Sequence, residues 1–194
     1  MLHRTQLINE ETGEIYETEE NRFTESFNDD GYRIPSHKAG ARLFEEVMFP
    51  KEMSHSDIGK MTILSKVMIK SANMLGYRQG GEILPYTAEG IGSLIGLQRT
   101  QGLKFIHRMC RLRVMQKVKT NSGSQYYINP AYFMAAGKRL SLDLYLLFRE
   151  ELTPILPSWV MREFLNQARA KKIPAGKAVL NEAEKILRLR ESNA

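Results

Sequence analysis

The chain has 194 residues, 42% of them hydrophobic and 26% charged, an ordinary globular composition that excludes collagen-like, mucin-like and wholly disordered proteins. Its single cysteine, Cys110, excludes a disulfide framework within the chain and most cysteine-based metal sites. The sequence has no run of about 18 apolar residues, so no membrane-spanning helix is predicted, and residues 1–20 lack the apolar core of a secretory signal. We therefore expect a cytoplasmic protein without membrane contact.

The net charge of +6 conceals an uneven distribution of charge. Residues 1–36 carry nine acidic and three basic side chains, a net of −6, so that the other 158 residues carry +12. Between Gly90 and Leu142 there is no Asp or Glu, and this segment holds nine Lys and Arg side chains. Interposed carboxylates repel phosphates, so an acid-free basic segment is typical of a surface that faces a polyanion. A chance cluster on a solvated face is the alternative.

An acidic arm is predicted at the N-terminus. Residues 9–14 favour a turn between short extended segments at 7–8 and 15–16. We expect residues 1–36 to form a hairpin or a mobile arm that is ordered only where it docks.

Two helices and a short strand are predicted next. Residues 38–49 have the apolar spacing of a short helix that Pro50 ends. Residues 57–76 repeat apolar side chains at i, i+3, i+4 and i+7, which predicts a longer helix with Gly76 just past its end. Residues 82–85 predict a short edge strand, where a proline is tolerated.

The centre of the chain predicts two further helices and a hairpin. Thr87 is suited to cap a short helix, and residues 99–112 predict the helix that follows it. Strand-like segments at 114–119 and 125–128 flank the tetrapeptide at 121–124, a good hairpin signal. Helix, short turn, helix and hairpin is the order of a winged helix-turn-helix, whose second helix lies in the major groove of DNA.

The chain is predicted to be helical again after Gly137. Residues 140–148 place several apolar side chains on one face, a further helix carries Trp159 and Phe164, and Pro174 suits the first turn of a last helix. These helices offer an apolar surface on which two copies of the chain would pair as a two-fold dimer.

The expected fold class is therefore mainly α, an α+β chain with a winged helix-turn-helix domain and additional C-terminal helices. We place an acidic N-terminal arm at residues 1–36 and the winged helix-turn-helix DNA-binding domain at 37–137. A C-terminal helical extension, the candidate dimerisation element, takes residues 138–194.

The helix predicted at 99–112 carries the candidate site. At 100° per residue, its inner face is formed by Leu103, Ile106, Met109 and Cys110. The opposite sector presents cationic and amide groups, which suit the edges of guanine and adenine in the major groove. The residues expected to read the groove are Arg99, Thr100, Gln101, Lys104, Arg108 and Arg111. The hairpin residues expected to contact phosphates are Lys117, Lys119 and Gln125. An ordinary amphipathic helix with a basic solvent face is the alternative.

Other kinds of site find little support in the sequence. His107 and Cys110 lie one helical turn apart, a spacing that two metal ligands can use, but there is no second pair, and a buried structural thiol is the better explanation. No phosphate-binding glycine loop is present, and no Ser-His-Asp or Cys-His arrangement can be nominated. We therefore expect no catalytic residue, no metal and no cofactor.

Short motifs resemble a known family. Residues 114–119 and the run QYYINP at 125–130 resemble the wing and exit of RepL-type plasmid replication initiators and related phage replication proteins. The TGEI tetrapeptide at 12–15 is similar to the start of such proteins, and the similarity covers residues 7–140. The resemblance implies a winged-helix protein of a plasmid or phage that binds an origin or an operator and has no catalytic residues.

The sequence thus predicts sequence-specific binding of double-stranded DNA in replication initiation. Transcriptional regulation of a mobile element is the alternative within DNA binding. The alternative from another class is a winged helix that holds a replication or transcription protein. The acidic arm at residues 1–36 suits a basic partner, and it equally suits folding back over the protein's own basic face.

Overall fold

A computed structural model of the chain describes most residues between the first strand and the sixth helix. The described ranges are 3–8, 15–20, 26–29, 31–33, 47–69, 72–121, 123–134 and 139–170. The helix predicted at 38–49 falls mostly outside these ranges, and its described end, from residue 47 onward, is not helical. The last predicted helix, which contains Pro174, lies outside them entirely.

Ten strands and six helices are present in the described ranges. The strands are β1 (His3–Ile8), β2 (Ile15–Glu20), β3 (Ser26–Asn28), β4 (Gly31–Arg33), β5 (Met68–Ile69), β6 (Met74–Gln79), β7 (Glu82–Pro85), β8 (Met115–Thr120), β9 (Gly123–Ile128) and β10 (Arg139–Leu140). The helices are α1 (His55–Ser65), α2 (Ala88–Leu94), α3 (Arg99–Arg111), α4 (Leu142–Leu147), α5 (Arg149–Leu152) and α6 (Ser158–Ala170).

The expectation of a mainly α winged-helix fold is wrong. The described residues form a mixed α/β structure around a five-stranded antiparallel sheet in the order β5-β6-β9-β8, with β7 paired to β6. The difference arises in residues 66–79, where the helix predicted to reach Gly76 stops at Ser65 and gives way to β5 and β6. Gly76 is not a helix terminus but a buried strand residue, where a Cβ would lie 2.8 Å from the Leu84 carbonyl oxygen.

Local backbone chemistry explains why this segment forms strands. Asn73, between β5 and β6, has φ +53°, and Gly80 and Gly81 have φ +58° and +88°. Two successive positive φ values make the two-residue turn that matches the twist of a hairpin, and Gln79 pairs with Glu82 across it. The buried Asn73 amide donates to the Ile128 carbonyl at 3.1 Å, which joins this hairpin to β9.

Both ends of α2 are set by local hydrogen bonds. The Thr87 hydroxyl accepts from the Gly90 N–H at 3.1 Å and caps the helix, as predicted. At the other end Gly96 has φ +69°, and the Leu97 N–H donates to the Gly92 carbonyl at 2.9 Å. This is the Schellman arrangement, in which a left-handed glycine reverses the chain after the last turn.

Helices α2 and α3 pack backbone against backbone at a pair of glycines. A Cβ built on Gly102 would lie 3.0 Å from the Gly92 Cα, and one built on Gly92 would lie 3.3 Å from the Gly102 Cα. The absence of both side chains therefore permits the close approach, which fixes how α3 is presented.

The hairpin predicted after α3 is confirmed as β8 and β9, with ends shifted by one or two residues. Met115 pairs with Ile128 and Lys117 with Tyr126, so these residues share one face of the ladder. Asn129 follows β9 and is fully buried. Its amide donates to the Arg113 carbonyl at 2.8 Å, which fixes the crossing from α3 into the hairpin.

The N-terminal segment is extended where it is described. Strands β1 and β2 pair with Ile8 opposite Ile15, in agreement with the predicted turn, whose own residues lie outside the described ranges. Further along, β4 pairs with β10, and Tyr32 stands opposite Leu140. The Phe27 ring lies 4.8 Å from that of Phe164 on α6. This part of the predicted arm is therefore packed against the C-terminal segment.

The buried apolar side chains of the described part form one cluster that spans the sheet, α3 and the C-terminal helices. On α6 the buried residues are Val160, Met161, Phe164, Leu165 and Ala168. The apolar face of α6 that suggested pairing of two copies is thus covered by the chain's own core, and dimerisation stays a prediction. Within the described ranges, no helix combines the length and apolar character that crossing a membrane requires.

Candidate nucleic-acid interface

The buried face of α3 is rotated about the helix axis relative to the inner face that the sequence predicts. Ile106 and Met109 are buried as predicted, but Leu103 is 38% exposed and Cys110 only half-buried. Phe105, which the predicted inner face omitted, is 4% exposed. With Gly102 also buried against α2, the inner face is rotated away from Leu103.

The rotation defines which residues stand furthest from the core. Thr100, Lys104, His107 and Arg111 are exposed and occupy the sector opposite the buried face. Neither Lys104 nor Arg111 forms a hydrogen bond or ion pair with any residue in the described part of the chain. The helix contains no acidic side chain, so its outer face is cationic and open to an anionic partner.

Arg108 stands at the border of this face, next to α1. Its guanidinium donates to one carboxylate oxygen of Asp57, and its side chain remains 44% exposed, whereas that of Asp57 is 3% exposed. Arg108 was predicted to read bases. Its position shows that part of its donor set is already used to hold α3 against α1.

Asp57 is fixed from both sides. Its second oxygen accepts from the Ser54 N–H at 3.0 Å and from the Ser54 hydroxyl at 2.8 Å, while its own N–H donates to Ser54 Oγ at 3.2 Å. Burial by itself raises the pKa of Asp57, but the Ser54 hydrogen bonds and the charges of Arg108 and Lys60 outweigh burial, and the pKa lies below its ordinary value. Asp57 is therefore an ionised anchor for Arg108.

The N-terminus of α3 presents backbone donors. Gln98 takes the capping position without a side-chain hydrogen bond, and the first turn holds no acid. Arg99, Thr100 and Gln101 are exposed. The first N–H groups of a helix lack intrahelical acceptors and carry partial positive charge, which favours an anion beside these side chains.

The hairpin that follows α3 carries exposed cations. Lys117 and Lys119 are exposed on β8, and the Lys117 ammonium lies 5.9 Å from the centre of the Tyr126 ring, within the range of a cation–π contact. Its charge acts on Cys110 of α3, where burial still raises the pKa of the thiol. Lys117 thus lies near Cys110 of α3.

Gln125 is the predicted site residue that is least available. It is half-buried, and its side-chain oxygen accepts from the Tyr127 hydroxyl at 2.7 Å.

Over the described ranges, no three His, Cys, Asp or Glu side chains gather in a way that would hold a metal ion.

A cleft separates α1 from α3. It has a volume of about 600 Å³. Its lining residues are Asp57, Lys60, Leu97, Gln101, Lys104, Phe105, His107, Arg108 and Arg111. The sequence did not identify Lys60 as a site residue. The one feature that could have done so is its position three residues after Asp57, on the same face of α1.

Arg113 belongs to the acid-free segment but is turned away from this surface. Its Nε donates to Glu151 Oε1 of α5 at 2.7 Å, and this bond is the main reason its pKa is raised. Arg113 therefore fastens α3 to the C-terminal helices.

No protein-family model, curated protein or solved structure matches the chain.

Proposed function

We propose that the chain binds double-stranded DNA through the exposed face of α3. The observation that carries the proposal is the combination of Lys104, His107 and Arg111 on a helix face without any acid. An α-helix fits the major groove of DNA, and cationic side chains on it meet both phosphates and base edges.

The residues of α3 take different parts in this proposal. Lys104 and Arg111 lie at the centre of the outer face, from which they would reach the floor of the groove or the phosphates that border it. Arg99, Thr100 and Gln101 lie beside the open helix N-terminus, which suits a phosphate. Arg108 contributes only the guanidinium N–H groups that are not bonded to Asp57.

The hairpin supplies contacts to the adjoining backbone. Lys117 and Lys119 are exposed on β8, the strand that follows α3, and lysine binds phosphate as a mobile point charge. Such contacts fix position on the duplex without selecting sequence. We propose that specificity comes from α3 and that affinity is shared between α3 and β8.

The test is a double variant, Lys104→Ala with Arg111→Ala, compared with Lys66→Ala with Arg78→Ala. All four side chains are exposed, and the control removes the same charge at the far end of α1 and on β6. Titration of a labelled duplex selected from random sequences should show the site variant weakened by about 1–3 kcal/mol for each base that it no longer reads. Equal affinities of the two double variants would contradict the proposal.

The biological process follows from where the bound sequence lies. We propose initiation of plasmid or phage replication in the cytoplasm, supported by the resemblance of residues 114–119 and 125–130 to RepL-type initiators. Sequences selected from random duplex DNA should then match an origin. A match to a promoter would favour transcriptional regulation instead.

A further inference from the structure

The cleft between α1 and α3 is open to solvent and large enough to hold a small molecule. Its volume of about 600 Å³ lies within the range of about 300–1,000 Å³ that is usual for such pockets. The Phe105 side chain, 4% exposed, and the half-buried Leu97 give it an apolar wall. The cleft opens beside the outer face of α3 and is not part of the hairpin surface.

The charge around the cleft is strongly unbalanced. Lys60 on α1, whose ammonium also donates to the Ser56 hydroxyl, lines the cleft together with Lys104, Arg108 and Arg111 on α3, and Asp57 is the single carboxylate in the lining. Both oxygens of Asp57 are occupied by protein donors, one by Ser54 and the other by Arg108. The carboxylate therefore neutralises only part of the Arg108 charge, and the remaining cations attract an anion.

The donor types point to a phosphate that is attached to an apolar group. Arginine presents a planar fork of donors that matches phosphate oxygens, and Lys60 adds a point charge from the opposite wall. The amide of Gln101 offers one donor and one acceptor group beside the apolar wall of Phe105 and Leu97. A nucleotide joins a phosphate to a flat ring with polar edges, so it satisfies all three features.

We propose that the α1–α3 cleft binds one nucleotide unit, with its phosphate between Lys60 and the arginines of α3. The nucleotide is either free or part of a DNA strand that lies along α3. This inference rests in part on the proposed function, because Lys104 and Arg111 serve both the cleft and the duplex-facing surface. A free nucleotide in the cleft would therefore compete with duplex DNA.

The experiment compares Lys60→Ala with Lys66→Ala, two lysines of the α1 region of which only Lys60 lines the cleft. Calorimetry measures the binding of dAMP and of inorganic phosphate, and titration of a labelled duplex measures DNA affinity. Circular dichroism and urea unfolding show whether each variant is folded. If the ligand is a free nucleotide, dAMP binds wild type more tightly than phosphate does, and Lys60→Ala weakens it about tenfold or more.

The second arm addresses a nucleotide within DNA. In that case dAMP does not bind at millimolar concentration, and Lys60→Ala weakens duplex binding while reducing its dependence on log salt by about one. Lys66→Ala leaves both properties unchanged in either case. Measurable binding of both dAMP and phosphate with equal affinity overturns the assignment to a nucleotide. The cleft inference also fails if Lys60→Ala and Lys66→Ala behave alike in both assays.

The two proposals fail in different ways. Loss of duplex binding in the Lys104→Ala, Arg111→Ala protein together with no effect of Lys60→Ala leaves the DNA proposal intact and removes the cleft inference. Conversely, if the protein binds dAMP in a way that depends on Lys60 but does not bind duplex DNA, the cleft inference stands and the DNA proposal is removed.

Discussion

Arg108 of α3 donates to the carboxylate of Asp57, the same group that closes the cap of α1 on Ser54. The two partners are 51 positions apart in the sequence. The contact ties the first helix to the helix of the proposed site, so the stability of α1 and the orientation of α3 depend on one buried carboxylate.

Replacement of Asp57 should therefore destabilise the protein. Asp57→Ala removes the acceptor for two Ser54 donors and for Arg108, and the loss of the cap together with a charge-assisted hydrogen bond costs about 1–3 kcal/mol. Urea unfolding measures the loss. Asp143→Ala, an exposed acid in the first turn of α4, is the control. A loss no greater than that of the control would contradict the anchoring role of Asp57.

Stability should depend on pH through the same carboxylate. The pKa of Asp57 is lower in the folded protein than the value of about 3.9 in an unfolded chain. Its stabilising contribution is then fully present above about pH 4 and disappears as the pH falls through the folded pKa. The difference in unfolding free energy between wild type and Asp57→Asn should shrink below pH 4. A difference that is constant from pH 6 to pH 3 would exclude this linkage.

Alanine at Gly102 should destabilise the protein even though alanine favours helices. The added Cβ would lie 3.0 Å from the Gly92 Cα, and overpacking costs about 1–3 kcal/mol, more than the roughly 1 kcal/mol gained in helix propensity. Gly59→Ala on α1 is the control, since a Cβ there has no neighbour within 4 Å, and it should stabilise by about 0.5–1 kcal/mol. Thermal unfolding of both proteins checks the opposite signs.

Neutralising Lys117 should weaken binding to all duplexes alike. A phosphate contact carries no sequence information, so Lys117→Ala should lower specific and non-specific affinity by the same factor and reduce the salt slope by about 0.9. Lys51→Ala, an exposed lysine before α1, is the control. A change confined to one base position would instead assign Lys117 to direct readout.

The elements that the sequence predicted well are set by local chemistry. Thr87 caps α2 through its own hydroxyl, and the hairpin signal at residues 121–124 marks the connection between β8 and β9. Each of these signals acts within a few residues. They were sufficient to locate α3 and therefore the candidate site.

The elements that the sequence missed depend on distant partners. Apolar side chains between Ile63 and Leu75 fit a helical period, but the pairing of Met74 with Tyr127 and the left-handed Asn73 place this segment in the sheet. The phase of α3 was anchored on Leu103 without knowledge of the Gly92 contact that turns Gly102 and its neighbours inward. Contacts between segments that are far apart in the sequence produce no periodic pattern of residues from which they could be predicted.

The pairing of β4 with β10 has a consequence for how the protein is made. Gly31 and Arg139, joined by a hydrogen bond, are 108 positions apart, so this small sheet cannot assemble until most of the chain has left the ribosome. The Phe27 side chain packs against Phe164, so the strand that carries it stays uncovered until α6 has been synthesised. During synthesis β3 and β4 therefore remain accessible to chaperones and proteases until β10 and α6 have emerged.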